Sequence, residues 1–177
     1  VKYGKYEIKK VSVNDRMSEE TTNFSLDLYV DGKKFAFVSN DGRGGCHRVH
    51  PYPPYNNVDI ARVEAEMAAD VFLVDSELEM FDTAVNTLLS LHEAAAIIKR
   101  MIKTKATFID GNEVYTSGYN GRLPDEALFE RIRSQHPGVT ILNNMTVEAS
   151  AIELVKADRR KYEAEYAAHA NPVIPRP

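Results

Sequence analysis

The chain has 177 residues, of which 44% are hydrophobic and 27% charged, and a formal net charge of −4. A chain of this length buries roughly two thirds of its unfolded surface, so it needs no metal or disulfide to fold, and its single cysteine has no internal partner. The charge balance excludes a general electrostatic case for nucleic-acid binding, and no apolar run approaches the ~20 residues of a membrane helix.

The opening segment, VKYGKYEIKK, alternates charged and aromatic residues and has no signal-peptide core. With one cysteine, this sets the expectation of a cytoplasmic protein. Residues 5–13 predict a strand, with β-branched Ile8, Val11 and Val13. RMSEETTN reads as a polar connection. From Asn23 the pattern is regular: Phe24, Leu26, Leu28 and Val30 alternate with Ser25, Asp27 and Tyr29, giving one buried face at period two. Asp31-Gly32 is a two-residue hairpin signal, and KKFAFVS returns as the partner strand. The glycines of NDGRGGC end it, and the prolines of HPYPPYNN exclude a helix or a central strand. That block predicts an extended crossing over the sheet.

A helix is expected to begin near Val58, with Asn57 as its N-cap. Ile60, Val63, Met67, Val71, Val74, Leu78, Phe81, Val85 and Leu88 recur at spacings of three and four, an amphipathic stripe. The stripe is too long for one ordinary helix. A Ser76/Glu79 capping box predicts a break near Asp75, and Ser90/Glu93 a second restart, so two or three helices are expected over 58–103. TKATFIDGNEVYTSGY predicts a second hairpin around Asp110-Gly111. Pro124 is placed at a first helical position, followed by Asp125 and Glu126. That helix stops at His136-Pro137-Gly138, VTIL follows as a short strand, and Thr146 caps a last helix. The fold class is α+β. One domain is expected, built from a sheet with a Gly-rich loop (1–56), a helical segment (57–104) and a β-hairpin–α–β–α unit (105–170), with a tail at 171–177.

SNDGRGGCHRVH, residues 39–50, gathers the cysteine, two histidines and three glycines. Backbone N–H groups around glycines can form an anion nest, with Arg43 as a fork of donors. GRGG lacks the Lys-Ser/Thr and the following helix of a P-loop. Cys46, His47 and His50 make one local cluster with no second pair of ligands, which argues against a zinc site; His92, His136 and His169 are scattered. Cys46 as a nucleophile would need His47 or His50 as base, yet adjacent strand residues point to opposite faces. Tyr52, Tyr55, Tyr115 and Tyr119 are aromatic surfaces for stacking or for anchoring loops. The ligand-site expectation is therefore Asn40, Arg43, Gly44, Gly45, His47, Tyr52 and Tyr55, with no catalytic residue, metal or cofactor assigned. The plain alternative is a bulged turn at a strand end.

Residues 58–93 carry nine acids against one base, Arg62, whereas Lys99, Arg100, Lys103 and Lys105 form a linear basic cluster. The acidic stretch reads either as a solvated helix face or as a surface for a basic partner.

Residues 18–46, with the pattern SEET..FS..LYVDGKK....SNDGRGGC, resemble a group of uncharacterised proteins from phages and bacteria, as does VTILNNMTVEAS (139–150). The resemblance covers about half of the chain and transfers no functional residue. It implies a phage or mobile-element setting, in which small proteins often act by binding. The expectation is a non-enzymatic binding protein, in the host cytoplasm if phage-encoded. It would inhibit a host defence protein or sequester a small nucleotide-like ligand. Candidate homodimer seams are the 60–88 stripe and the last helix. Two alternatives stay open: an enzyme acting on a phosphorylated or nucleotide substrate through Cys46 and His50, and a nucleic-acid-binding module using Lys99–Lys105.

Overall fold

Alternating apolar and polar side chains build the first sheet. In the computed structural model, which describes residues 1–75, 77–118 and 123–170, strands β1 (Lys2–Tyr3), β2 (Tyr6–Val13), β3 (Phe24–Val30), β4 (Lys33–Asn40) and β5 (Arg48–Pro51) pair antiparallel in chain order. Asp31 and Gly32 form the tight turn between β3 and β4, as their sequence predicts, both with positive φ (50° and 74°). One sheet face is buried through Ile8, Leu26, Leu28 and Val38. The proline-rich block enters the sheet after all: His50 and Pro51 belong to β5, an edge strand paired only to β4. Proline is tolerated there because an edge leaves N–H groups unpaired.

Helix α1 (Asn57–Ala68) starts one residue earlier than its sequence suggested. Asn56, not Asn57, is the N-cap. Its side chain accepts from Val58 N–H at 2.8 Å, and Asp59 accepts from the Asn56 N–H at 3.0 Å. That reciprocal pair is a capping box with an Asp at the third position. The next helix, α2 (Met80–Met101), runs without a break. Ser90 does not restart it: its hydroxyl donates back to the Asn86 carbonyl at 3.1 Å, a bond made within a continuing helix. The expected Ser76/Glu79 box falls on Ser76, which lies outside the described residues.

The long stripe divides accordingly. Val63, Met67, Val74, Phe81, Val85 and Leu88 are buried, so the stripe is core and not an open dimer seam, while Val71 and Leu78, on the connection between the helices, are exposed. Helical spacing in a sequence does not by itself say where a helix stops.

The structure divides into two compact units, Val1–His92 and a second beginning at Glu93. In the second, β6 (Ala106–Asp110) pairs antiparallel with β7 (Glu113–Ser117) and with β8 (Thr140–Ile141). Helix α3 (Glu126–Gln135) is capped by Asp125, which accepts from Leu128 N–H at 2.9 Å; Pro124 thus stands before the cap and not in the first turn. Ala106, Phe108, Phe129, Ile132 and Ile141 form this unit's core cluster. Helix α4 (Val147–Ala170) opens on Thr146, whose hydroxyl accepts from Ala149 N–H at 3.2 Å. Its Tyr162 and Tyr166 are exposed. The class is α+β. No helix among the described residues is long and apolar enough to cross a membrane. Tyr119 and the tail 171–177 lie outside the described residues.

Candidate functional site

The segments SEET and SNDGRGGC, far apart in sequence, meet at one end of the first sheet. After β2 the chain makes an excursion over residues 14–23, closed at its neck by Asn14 N–H donating to the Asn23 carbonyl at 3.0 Å. After β4 it makes a second excursion, residues 41–47. The two are locked together. The Gly42 carbonyl accepts from the N–H groups of Glu19, Glu20 and Thr21 at 2.8, 2.9 and 3.3 Å. Three successive N–H groups converging on one oxygen are the geometry of an anion nest. Here the nest belongs to residues 19–21, not to the glycines, and a backbone carbonyl fills it.

Asn40 is the hub. It is buried at the end of β4, where the strand's inward alternation would otherwise place an apolar residue. Its Oδ1 accepts from the Thr21 hydroxyl and from Gly42 N–H, each at 2.8 Å. Its Nδ2 donates to the Gly45 carbonyl at 3.1 Å and lies 3.1 Å from His47 Nδ1. A carbonyl can only accept and an N–H can only donate, so these neighbours fix which way the amide points. His47 Nδ1 is then the acceptor, and the ring proton sits on Nε2, 3.1 Å from Asn86 Oδ1. The His47 backbone N–H donates to Asp82 Oδ2 at 2.7 Å, and its ring meets Phe24 edge-on at 4.8 Å between centroids. Asp82 and Asn86, four apart on α2, share a helix face and fasten the loop's far end.

The expected site residues thus separate into three groups. Asn40, Gly44, Gly45 and His47 belong to this network, Gly44 through its N–H, which donates to the Thr21 hydroxyl at 3.2 Å. Arg43 stands exposed at the crest, and its guanidinium has no partner among the described residues. Tyr52 and Tyr55 lie elsewhere. The Tyr55 ring packs on Phe35 at 5.0 Å, and the Tyr52 hydroxyl donates to Asp27 Oδ1 at 2.7 Å.

That last contact exposes a feature the alternation hides. Asp27 points away from the apolar face yet is only 3% exposed. Its Oδ2 has no aligned hydrogen bond but faces the Lys34 ammonium at 3.1 Å and that of Lys10 at 3.6 Å, and Lys34 also lies 3.9 Å from the centre of the Tyr52 ring. Burial alone would push the Asp27 carboxyl up. The Tyr52 hydroxyl and the two ammonium groups outweigh it and hold the carboxyl below the usual carboxylate range. A carboxyl lowered on folding stabilises the folded chain above its unfolded pKa of about 3.9, and that contribution disappears as pH falls through the folded value. Tyr52→Phe should therefore cost about 1.5 kcal/mol at neutral pH, the lower end for a hydrogen bond to a charged group. The deficit should shrink at an acidic pH below the folded value, where the carboxyl takes up a proton. Urea unfolding of both chains at the two pH values checks this; an equal deficit at both would show that Asp27 is not the partner that matters.

Cys46 is exposed. Its thiol lies 3.6 Å from Glu79 Oε1, and the charges of Glu79 and Asp82 push its pKa up. His50 does not approach it but lies across from Phe37 on the neighbouring strand, ring centres 6.5 Å apart. No family model, no curated protein and no solved structure matches the chain. The site is therefore read from its own chemistry. Among the described residues no three His, Cys, Asp or Glu side chains converge as metal ligands. What the loop offers is a fixed backbone with one unpaired cation at its crest.

Sequence reasoning did not single out Thr21, Asp27, Lys34, Asp82 or Asn86. The only signal for the last two was a polar pair, four apart, beside an apolar stripe.

Proposed function

We propose that the chain is a non-enzymatic binding protein of phage or mobile-element type, which holds a host protein through the loop 40–47. The observation that carries this reading is the combination of a loop cross-braced by Asn40 with an exposed, unpartnered Arg43. A loop ordered before binding loses little entropy on binding, and arginine is over-represented among the residues that dominate interfaces. Its planar fork suits a carboxylate or phosphate on the partner. Small-molecule sites enclose most of their ligand, whereas Arg43, Gly45 and Cys46 stand out in solvent, which favours a macromolecular partner over a sequestered nucleotide. A nucleophilic role for Cys46 is disfavoured because neighbouring carboxylates keep its thiol protonated.

The test is affinity capture from the host with the native chain and with Arg43→Ala. One protein should co-purify with the native chain, and the variant should lose at least roughly tenfold in affinity. Stability should change by no more than about 0.5 kcal/mol, as for an exposed site. A nucleotide mass travelling with the folded chain in native mass spectrometry would overturn the protein-partner reading. Turnover of a phosphorylated substrate that Cys46→Ser abolishes would overturn the binding-protein reading itself.

A further inference from the structure

The connection between α1 and α2 carries a second surface, of opposite chemistry to the arginine loop. Where α1 ends, Asp70 fixes the chain's turn. Its Oδ1 accepts from Phe72 N–H at 2.9 Å, its backbone carbonyl accepts from the N–H groups of Leu73 and Val74 at 2.9 Å, and its Oδ2 accepts from the Tyr3 hydroxyl at 3.1 Å. Tyr3 also packs on Phe72, with ring centroids 5.1 Å apart. Leu73 is fully buried, and its carbonyl accepts from the Thr87 hydroxyl at 3.0 Å. The connection is thus pinned from several sides, and this pinning turns Val71 outward, to 85% exposure, with Leu78 at 78%. Single exposed apolar residues are ordinary. Here Val71 forms part of the wall of an open groove of about 490 Å³, lined also by Ala68, Val74, Asp75, Glu77 and Met80. That volume lies within the roughly 300–1,000 Å³ of surface pockets that take ligands.

The charge around the groove selects the occupant. Asp75 and Glu77 stand in its wall. Arg62, the one base among residues 58–93, is already engaged with Glu66 at 2.9 Å and Asp59 at 3.7 Å. An anionic lipid surface or a nucleic acid would meet like charge there. A groove with apolar walls and an acidic rim matches a segment that presents apolar anchors one helical turn apart between lysines or arginines.

We propose that the groove between α1 and α2 docks a basic amphipathic helical segment of a partner protein, with aliphatic anchors against Val71, Val74 and Met80 and cations facing Asp75 and Glu77. The groove's lining shares no residue with the arginine loop, and its test is a separate one. A fluorescently labelled synthetic peptide with leucine at helical spacing and lysine elsewhere is titrated against the full chain. Saturable binding is expected, weakened roughly tenfold or more by Val71→Asp and by Glu77→Lys, weakened by salt, and unchanged by Arg43→Ala. Both substitutions are at exposed positions, and thermal unfolding verifies that each variant keeps its fold. Three results would overturn the proposal. One is no saturable binding. Another is equal binding of a peptide whose leucines are replaced by serine, which would mean charge attraction without a groove. The third is a concentration-dependent dimer in sedimentation that Val71→Asp abolishes, which would make a second copy of the chain the occupant.

Discussion

Gly42→Ala should destabilise the first unit by about 3–5 kcal/mol, from a left-handed backbone penalty of about 1–2 kcal/mol and the loss of hydrogen bonds that the added methyl group forces. Gly42 has a φ of +83°, and a Cβ there would lie 2.1 Å from the Met17 carbonyl oxygen. That oxygen is backbone and cannot swing aside as a side chain would. Relief must come from parting the two excursions, and the Gly42 carbonyl is what the N–H groups of Glu19, Glu20 and Thr21 converge upon. Gly45 supplies the control. Its φ is +82°, but a Cβ there meets nothing within 4 Å, so Gly45→Ala should cost only the backbone penalty of about 1–2 kcal/mol. Urea denaturation of the two variants beside the native chain measures the difference. Equal losses would mean that the close approach of the two excursions is not what holds this end of the sheet.

The same corner shows what the sequence made legible. Period-two alternation placed β3 and β4 and their turn, because the pattern and the Asp-Gly pair are local properties. Three glycines correctly marked irregular backbone. What could not be read was which polar group sits opposite which. The nest belongs to residues 19–21, and its occupant is a carbonyl 21 residues or more further along the chain. No composition rule links the two. Val71 and Leu78 illustrate the complementary limit. Their spacing continues the buried stripe, but the helix ends at Ala68 and the chain turns them out. Asp27 looked like an ordinary outward strand residue, yet it is buried, with Tyr52 returning over that face to donate to its carboxylate and Lys34 and Lys10 beside it. Of the expected ligand residues, Asn40, Gly44, Gly45 and His47 do come together. Tyr52 and Tyr55 anchor the segment that follows β5, because a tyrosine carries both an apolar ring and a hydroxyl that seeks a partner when buried.

Asn40→Ala separates a loop that is merely closed from one that is held ready. The substitution strips partners from four groups: the Thr21 hydroxyl, Gly42 N–H, the Gly45 carbonyl and His47 Nδ1. Gly42 N–H is bonded to Asn40 in a buried setting, so water does not readily replace the amide there. Groups nearer the crest can be rehydrated. The expected loss is about 2–4 kcal/mol, since a buried polar group left unsatisfied costs about 1–3 kcal/mol. Because His47 touches both Asn40 and Asn86, a double-mutant cycle of Asn40→Ala with His47→Ala should show coupling of about 1 kcal/mol, as residues in one network do. The functional consequence separates further. If Arg43 binds its partner from a preformed crest, Asn40→Ala must weaken binding even at a temperature where the variant remains folded, because the loop has then to be ordered at the moment of contact. The weakening should appear with Arg43 itself intact. A variant that is less stable yet binds undiminished would leave the network as a clasp between two strand ends and would remove the preformed crest from the account of how the chain binds.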